Sequence, residues 1–179
     1  MTSPLLIRPC APSDLSTVTA IYEWNVLHGT GTFEITPPDE TEITRRHGDL
    51  TAQGLPWLVA ELGGQVHGYA CAHRFRPREA FHFCVEDAIY LSPACQGLGI
   101  GRLLLAELIS QCEAFGATQM LAVIGDSANA GSIGLHRGLG FAQAGELRAV
   151  GWKFDRWLDV VLMQRPLGPG HTSPPRKSE

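Results

Sequence analysis

The sequence lacks the features of several large protein classes. No apolar run approaches the roughly 20 residues that a helix needs to cross a bilayer. The first residues, Met1 to Pro4, have no basic region followed by an apolar stretch, which is the pattern of a secretory signal. Lysine and arginine form no cluster, and the net charge is −4. We therefore expect a cytoplasmic protein that binds neither a membrane nor nucleic acid.

The cysteine pattern does not indicate a disulfide framework or a zinc site. The 5 cysteines are odd in number and scattered, and no Cys-x-x-Cys pair occurs. Reduced, packed thiols are typical of cytoplasmic proteins. We therefore expect no bound metal. The cysteines are Cys10, Cys71, Cys84, Cys95 and Cys112.

Length and composition predict one domain of the mixed α/β (α+β) class. The 179 residues are 44% apolar, which is enough for a proper core. We expect the domain to span residues 1–167 and the Pro-, Gly- and Ser-containing residues 168–179 to be a disordered tail. Apolar periodicity predicts helices at residues 13–27, 39–53, 99–115 and 129–139. It predicts strands of one largely antiparallel sheet at residues 5–8, 57–62, 66–75, 81–91, 120–124, 147–150 and 157–163.

A glycine-rich junction between a strand and a helix is the most informative segment. From Gln96 to Arg102 it reads Gln-Gly-Leu-Gly-Ile-Gly-Arg, after an apolar strand that ends at Leu91. Unpaired N–H groups and the positive end of the helix dipole make such a place a phosphate site. The alternative is a tight turn whose glycines serve the backbone alone.

Two common phosphate loops do not fit this segment. A Walker A loop needs a lysine before Ser or Thr, and Arg102 followed by leucine stands there instead. A dinucleotide fingerprint needs Gly-x-Gly-x-x-Gly, but its third glycine falls on Arg102 or Leu104, depending on the register. The pattern that fits is Gln-x-x-Gly-x-Gly, with Pro93 ahead of it.

This pattern resembles the pyrophosphate loop of the GNAT superfamily of acetyl-CoA-dependent N-acyltransferases. Further segments resemble its phosphinothricin N-acetyltransferase branch, and the likeness runs from about Ile7 to Leu167. The branch is marked by a glutamate in the strand before the loop, a His-x-x-Leu-Gly-Phe helix end and a Trp-x-Asp ending. The segments are residues 86–93, 122–125, 129–136, 139–141 and 151–159.

The resemblance implies a fold, a reaction and an assembly. The fold is GNAT-like and three-layered, with a central, mostly antiparallel, splayed mixed sheet flanked by helices. The reaction moves the acetyl group of acetyl-CoA to the amino group of a small amino-acid-like acceptor, such as phosphinothricin, methionine sulfoximine or methionine sulfone. The assembly is a homodimer. The final hairpin of the chain and the contact between the two copies are expected to be formed by Trp152, Lys153, Trp157 and Asp159.

Two residues are candidates for proton transfer. An acceptor ammonium must lose a proton before its nitrogen attacks the thioester, and Glu86 stands at the family's base position, among apolar neighbours that would raise its pKa. The alternative is a solvent-facing glutamate at a strand edge. His136 stands where many relatives carry a tyrosine acid, and it titrates near neutrality. The alternative for His136 is a packed histidine.

The resemblance also implies the residues that contact the coenzyme. The loop is expected to hold the pyrophosphate mainly through backbone N–H groups, and a backbone N–H near Leu91 to stabilise the thioester oxygen. Asn129 and Ser132 match positions that contact the pantetheine arm or the nucleotide, although either could cap the helix that follows. The coenzyme set is Tyr90, Leu91, Gln96, Gly97, Leu98, Gly99, Ile100, Gly101, Arg102, Asn129 and Ser132.

Acceptor recognition is carried by fewer matches. Phe33, Arg78 and Phe81 match pocket positions of the branch, and Arg76 with Arg78 could bind an anionic acceptor. An arginine pair in a loop could equally be a solvated surface feature. Phe81, where the branch commonly has tyrosine, departs from the pattern, as do His82 and Cys84. These departures put phosphinothricin itself in doubt more than the reaction.

Two other functions stay open at this point. The chain could acetylate a polyamine, an aminoglycoside or a protein N-terminus, for which an acidic pocket would be needed. Glu34 is one residue in favour of that, and the arginine pair speaks against it. The chain could also be a CoA-binding module without catalysis. Since no cysteine has a persuasive setting for a nucleophile, we expect direct transfer without an acetyl-cysteine.

Overall fold

A seven-stranded sheet forms the centre of the computed structural model, which describes residues 4–175. Its strands are β1 (Leu5–Pro9), β2 (Trp57–Leu62), β3 (Gln65–Arg74), β4 (Cys84–Leu91), β5 (Gln119–Gly125), β6 (Ala142–Lys153) and β7 (Arg156–Pro166). Its helices are α1 (Leu15–His28), α2 (Glu40–Ala52), α3 (Ile100–Phe115) and α4 (Ala130–Gly138). The strands lie in the order β1-β2-β3-β4-β5-β7-β6. The sheet is therefore mixed and mostly antiparallel, as the sequence predicts.

The single parallel pair among these strands is also where the sheet opens. Strand β4 pairs with β5 from Cys84↔Gln119 to Asp87↔Ala122, and no further pair follows along β4. The second half of β4, residues 88–91, therefore has no strand neighbour on the β5 side within the described chain. Strands β4 and β5 therefore splay apart, as the family resemblance predicts. We call the gap between these two strands the seam.

Helices cover both faces of the sheet because both faces are apolar. On one face α3 buries Leu104, Leu105 and Leu108 at helical spacing against Val85 and Met120 of the central strands. Truncation of such a leucine to alanine costs about 2–5 kcal/mol of unfolding free energy. Gly99 is the N-cap of α3 and Gly116 is its C-cap, and both glycines have left-handed backbone angles.

The opposite face of the sheet is covered by α1 and α2. Val18 and Tyr22 of α1 and Ile43 of α2 pack on Trp57 and Tyr69. Asp39 caps α2, because its side chain accepts a hydrogen bond from the backbone N–H of Glu42. The three-layer arrangement predicted from the resemblance is therefore present.

Several predicted boundaries are wrong. Strands β6 and β7 are much longer than residues 147–150 and 157–163, because β6 is an exposed edge strand with two register shifts and so shows no apolar alternation. Residues 79–81 form a short 3-10 turn instead of the start of β4. The division into a domain at residues 1–167 and a disordered tail at 168–179 stays a prediction; the first residues of that tail form turns beside the buried Leu167. Residues 176–179 of that tail lie outside the described residues.

Candidate active site

A cavity of about 780 Å³ opens at the seam. We call it the seam cavity. Its wall is built from the second half of β4, the glycine loop before α3, the start of α4 and residues 28–31 after α1. The splay creates this opening because β4 and β5 stop pairing after Asp87. At this size a cavity accommodates an extended organic ligand.

The glycine loop lines one end of the seam cavity with backbone donors. Gly97 and Gly99 have positive φ angles of 76° and 79°, which a side chain disfavours. A Cβ at either glycine would meet no atom of the protein within 4 Å, so it would project into open space. Gly99 is the N-cap of α3 and no side chain caps this end of the helix. Within the described chain, the N–H groups of Gly97, Gly99 and Gly101 donate to no protein acceptor.

The coenzyme residues predicted from the sequence divide into two groups. Leu98 is 64% exposed and Ile100 lies in the core, so neither side chain reaches the seam cavity and each could contribute only its backbone. The guanidinium of Arg102 lines the cavity, and it also donates to the carbonyl of Gly138 at the end of α4. The others that line the cavity are Tyr90, Leu91, Gln96, Gly97, Gly99, Gly101, Asn129 and Ser132.

The unpaired half of β4 presents backbone groups to the seam. The carbonyl of Cys84 and the N–H of Ser92 form their hydrogen bonds on the side of β4 that faces β3. Because backbone groups alternate between the two sides of a strand, those of Ile89 and Leu91 face the seam. The side chain of Asn25 donates to the carbonyl of Leu91 over 3.1 Å. Sequence reasoning missed Asn25, whose partner is 66 residues away.

Glu86 lines the seam cavity from the face that is covered by α1 and α2. Its side chain is 22% exposed, and its Oε1 lies 3.7 Å from Nε2 of His73 on β3. Burial raises the pKa of Glu86; the negative charge of Asp87 adds to this rise, while His73 and Arg76 oppose it. A carboxylate with a raised pKa is suited to take up a proton. Sequence reasoning missed His73.

His136 lines the same cavity from the other face of the sheet, but both of its ring nitrogens are engaged. Nδ1 lies 2.7 Å from the carbonyl oxygen of Ser132, and Nε2 lies 3.0 Å from Oδ2 of Asp87. The His136 side chain is 2% exposed. The structure therefore gives no free N–H on His136 for direct donation into the cavity, which a general acid would need. Asp87, the partner that holds this ring, was not predicted.

Asn129 and Ser132 combine the two uses that the sequence left open. The side chain of Asn129 accepts from the backbone N–H of Ser132 over 3.1 Å, so Asn129 caps α4. Both side chains also line the seam cavity. Capping and contact with a ligand are therefore compatible at this position.

The predicted acceptor residues do not line the seam cavity. Phe33 packs on Gly151, where a Cβ would lie 2.2 Å from the ring. The guanidinium of Arg76 stacks on Phe75 at 4.9 Å, and the ring of Phe81 meets Phe75 edge-on. Arg78 is exposed and precedes the 3-10 turn at residues 79–81. These positions belong to surface loops whose contacts sequence matches could not reveal.

A second cavity of about 350 Å³ is lined by His73, the residue that faces the carboxylate of Glu86. We call it the aromatic cavity, because Tyr22, Trp57, Tyr69 and Tyr90 form much of its wall. It shares His73, Ala88 and Tyr90 with the seam cavity, so the two meet beside the carboxylate. Glu34 and Arg46 also line it, and they form an ion pair at 2.7 Å.

The loop between α1 and α2 is fixed by a buried lysine. Lys153 of β6 donates from Nζ to the carbonyls of Gly29 and Thr32, both over 2.8 Å. Burial lowers the pKa of Lys153, which Glu34 partly opposes. Since Gly29 and its neighbours line the seam cavity, Lys153 shapes the site without lining it. The sequence offered no signal for this contact, which spans more than a hundred residues.

The residues of the seam cavity fit an extended ligand that carries phosphate. Free N–H groups at a helix N-terminus bind phosphate oxygens, and the unpaired backbone of β4 can bond an amide-containing arm. Among residues 4–175, no group of three His, Cys, Asp or Glu side chains is placed to hold a metal ion. No helix in that range is long and apolar enough to cross a membrane.

Comparison with known proteins agrees with this geometry. The family model described as "Acetyltransferase (GNAT) family" matches residues 18–141. The chain is 48% identical to phosphinothricin N-acetyltransferase of Alcaligenes faecalis, over 94% of this chain and 86% of that protein. It is 40% identical to the L-methionine sulfoximine/L-methionine sulfone acetyltransferase of Pseudomonas aeruginosa, over 94% of this chain and 98% of that protein.

A solved structure shares the fold closely. It is a GNAT superfamily phosphinothricin acetyltransferase of Sinorhizobium meliloti in complex with acetyl-CoA, with a TM-score of 0.93 and 48% identity. The match covers 99% of this chain and 95% of that one. The family expected from the glycine loop is thereby confirmed. The chain belongs to the acetyltransferase (GNAT) family and is an acetyltransferase.

Proposed function

We propose that the protein transfers the acetyl group of acetyl-CoA to the primary amine of a small amino-acid-like acceptor of the phosphinothricin, methionine sulfoximine or methionine sulfone type. One observation carries the proposal: a half-buried carboxylate, Glu86, lines the same cavity as a glycine loop with free N–H groups. The names of the relatives support the acceptor class.

Each part of the seam cavity has a role in this reaction. The N–H groups of the glycine loop bind the coenzyme's pyrophosphate, and the seam-facing backbone of β4 bonds its arm. Acetyl-CoA supplies the thioester as the acyl donor. Glu86 removes a proton from the acceptor's ammonium, so that the nitrogen can attack the thioester carbon. A backbone N–H near Leu91 bonds the thioester carbonyl oxygen as its negative charge develops. The C–S bond then breaks, and CoA leaves as a thiolate that takes up the second proton of the nitrogen, which gives the amide and the CoA thiol.

The acceptor side chain enters the aromatic cavity, because that space opens next to Glu86 on the same face of the sheet. Its walls suit an uncharged side chain, since Glu34 and Arg46 neutralise one another and Asp49, which also lines it, is paired with Arg45. Methionine sulfone and methionine sulfoximine meet this requirement better than the anionic phosphinothricin. Contacts from Phe33, Arg76, Arg78 and Phe81 to the acceptor stay a prediction, and Arg76→Ala with Arg78→Ala would test them through the KM of phosphinothricin.

Release of CoA thiol from acetyl-CoA tests the function directly. Methionine sulfone, phosphinothricin, spermidine and kanamycin serve as acceptors, and the amino-acid-like compounds should give the highest kcat/KM. Glu86→Gln should lower kcat about 100- to 10,000-fold, which is the range of general base catalysis. Glu61→Gln is the matched control, because Glu61 is also a half-buried strand glutamate but lies outside both cavities. Preference for a polycation, or full activity of Glu86→Gln, would contradict the proposal.

We also propose that two copies associate through the β6–β7 hairpin. Five large apolar side chains of this hairpin are exposed: Leu147, Val150, Trp152, Phe154 and Trp157. An exposed apolar patch of this kind is typical of an interface, and the family resemblance favours a second copy. Sedimentation of Trp157→Ser should show a monomer where the unaltered chain is a dimer. A dimer that persists in this variant would contradict the hairpin interface.

A cytoplasmic location completes the proposal. All 5 cysteines are free thiols, which suits a reducing compartment. Fractionation of cells that express the protein should recover the acetyltransferase activity with the cytoplasmic enzymes. In those cells, acetylation of phosphinothricin would appear as resistance to that compound. Recovery of the activity outside the cytoplasmic fraction would contradict the location.

A further inference from the structure

A buried aspartate–histidine pair joins β4 to α4 beside the seam. Nε2 of His136 lies 3.0 Å from Oδ2 of Asp87, and each side chain is 2% exposed. Asp87 follows Glu86 in β4, so the two carboxylates point to opposite faces of the sheet. Both members of the pair line the seam cavity. The contact therefore lies next to the proposed base, on the other side of the strand.

The hydrogen-bond partners of His136 fix its protons. Nδ1 faces the carbonyl oxygen of Ser132 at 2.7 Å, and a carbonyl can only accept, so Nδ1 carries a hydrogen. Nε2 faces a carboxylate oxygen, which also accepts unless it is protonated, so one further proton lies between the two groups. If the imidazole holds that proton, the pair is an imidazolium and a carboxylate.

The surroundings favour that assignment. Burial alone would lower the pKa of His136, but the hydrogen bond and the negative charge of Asp87 outweigh it, so the pKa is raised. Besides His136, the titratable groups that Asp87 influences are Glu86 and the thiols of Cys71 and Cys112. Burial raises the pKa of both thiols to about 12, so they are uncharged. Of these neighbours, His136 alone can balance the charge of Asp87.

We infer that Asp87 is a positioning residue of the acetyl transfer: it holds His136 as an imidazolium, and the ion pair fixes α4 against β4 beside the seam. This inference rests on the proposed function. Without the imidazolium, Asp87 would place a second uncompensated negative charge beside Glu86. Without the contact, α4 would lose its tie to β4, and its residues Asn129 and Ser132 line the seam cavity.

The ionisation of His136 can be measured without turnover. A nitrogen-15 NMR titration of histidine-labelled protein should show that the pKa of His136 lies above its ordinary value of 6.5. In Asp87→Asn the new amide can donate to a neutral Nε2, so the contact survives while the ring loses a proton. His136→Gln assigns the signal. A His136 pKa at or below its ordinary value in the unaltered protein would overturn the inference.

Kinetics test whether the pair acts as a unit. Asp87→Ala, which removes the contact, and His136→Gln should each lower kcat/KM by about 10-fold. Asp87→Asn keeps the contact and should lose less. The double variant of Asp87→Ala with His136→Gln should be no worse than either, because residues in one contact do not add. Asp14→Asn is the matched control: Asp14 is buried in an ion pair with Arg8 at the far edge of the sheet. It should lower Tm and leave kcat/KM unchanged.

The outcomes separate this inference from the proposed function. Full activity in Asp87→Ala, or additive losses in the double variant, would overturn the positioning role while acetyl transfer stands. An unaltered protein that acetylates no amine would instead contradict the proposed function. The NMR result is read on the protein alone and stays interpretable in either case.

Discussion

Replacement of Gly99 by alanine would test the pyrophosphate loop, because its effect on stability can be separated from its effect on binding. Gly99 has a φ of 79°, where a residue with a Cβ costs about 1–2 kcal/mol. For a chain of this size each kcal/mol lowers Tm by about 2–4 °C. The added Cβ would also project into open space beside the free N–H groups of the loop. It would hold a phosphate oxygen away from them.

The binding loss follows from the hydrogen bonds that the Cβ would block. A hydrogen bond to a charged group is worth about 1.5–3 kcal/mol, so loss of one should raise the KM of acetyl-CoA by about 10- to 100-fold. The acceptor KM should change little. Steady-state kinetics with each substrate varied in turn would measure both values, and differential scanning fluorimetry would give Tm.

The same helix supplies the matched control. Gly116 ends α3 with a φ of 98°, and a Cβ there would also meet no atom within 4 Å, but Gly116 does not line the seam cavity. Gly116→Ala should therefore lower Tm as Gly99→Ala does and leave the KM of acetyl-CoA unchanged. Equal KM values in the two variants would refute the assignment of this loop to the pyrophosphate.

Two further predictions concern buried charges. Burial raises the pKa of Glu86, so above pH 4.5, the ordinary pKa of the group, ionised Glu86 destabilises the folded state. Glu86→Gln should therefore have a higher Tm than the unaltered protein at pH 8, and the two Tm values should become equal below pH 4.5. Equal Tm values at pH 8 would contradict this prediction. Lys153→Met leaves the carbonyls of Gly29 and Thr32 without their hydrogen-bond donor. Each lost bond costs about 1.5–3 kcal/mol of unfolding free energy. Part of this cost is offset, because the variant no longer has to bury a charged ammonium group. It should lower Tm and raise both substrate KM values, since the loop lines the seam cavity; a variant with unchanged KM values would show that Lys153 does not shape the site.

The local parts of this site could be predicted from the sequence. The glycine loop is recognisable because the free N–H groups that it presents depend on backbone geometry, which the glycines themselves dictate. Glu86 was a candidate because it precedes that loop on a strand with apolar neighbours. Asn129 was assigned two possible uses, and its position at the start of α4 supports both. In these cases the chemistry and the sequence signal lie within a few residues of each other.

The long-range parts could not be predicted. His136 was recognised, but its partner Asp87 lies 49 residues away, so the engagement of both ring nitrogens was hidden. Lys153 reaches a loop 121 and 124 residues away, and nothing in its local sequence signals that contact. The acceptor residues were carried over from a resemblance, and the loops that hold Arg76 and Phe81 place them outside the seam cavity.

The short pairing between β4 and β5 has a mechanical consequence. The strands on its two sides are contiguous in sequence, with β1 to β4 before α3 and β5 to β7 after it. Four residue pairs are the only strand register that joins these two halves in the described chain. A molecule that bonds to both β4 and β5 across the seam would hold the two halves of the sheet together. Occupancy should therefore slow amide hydrogen exchange in strands that the bound molecule never touches.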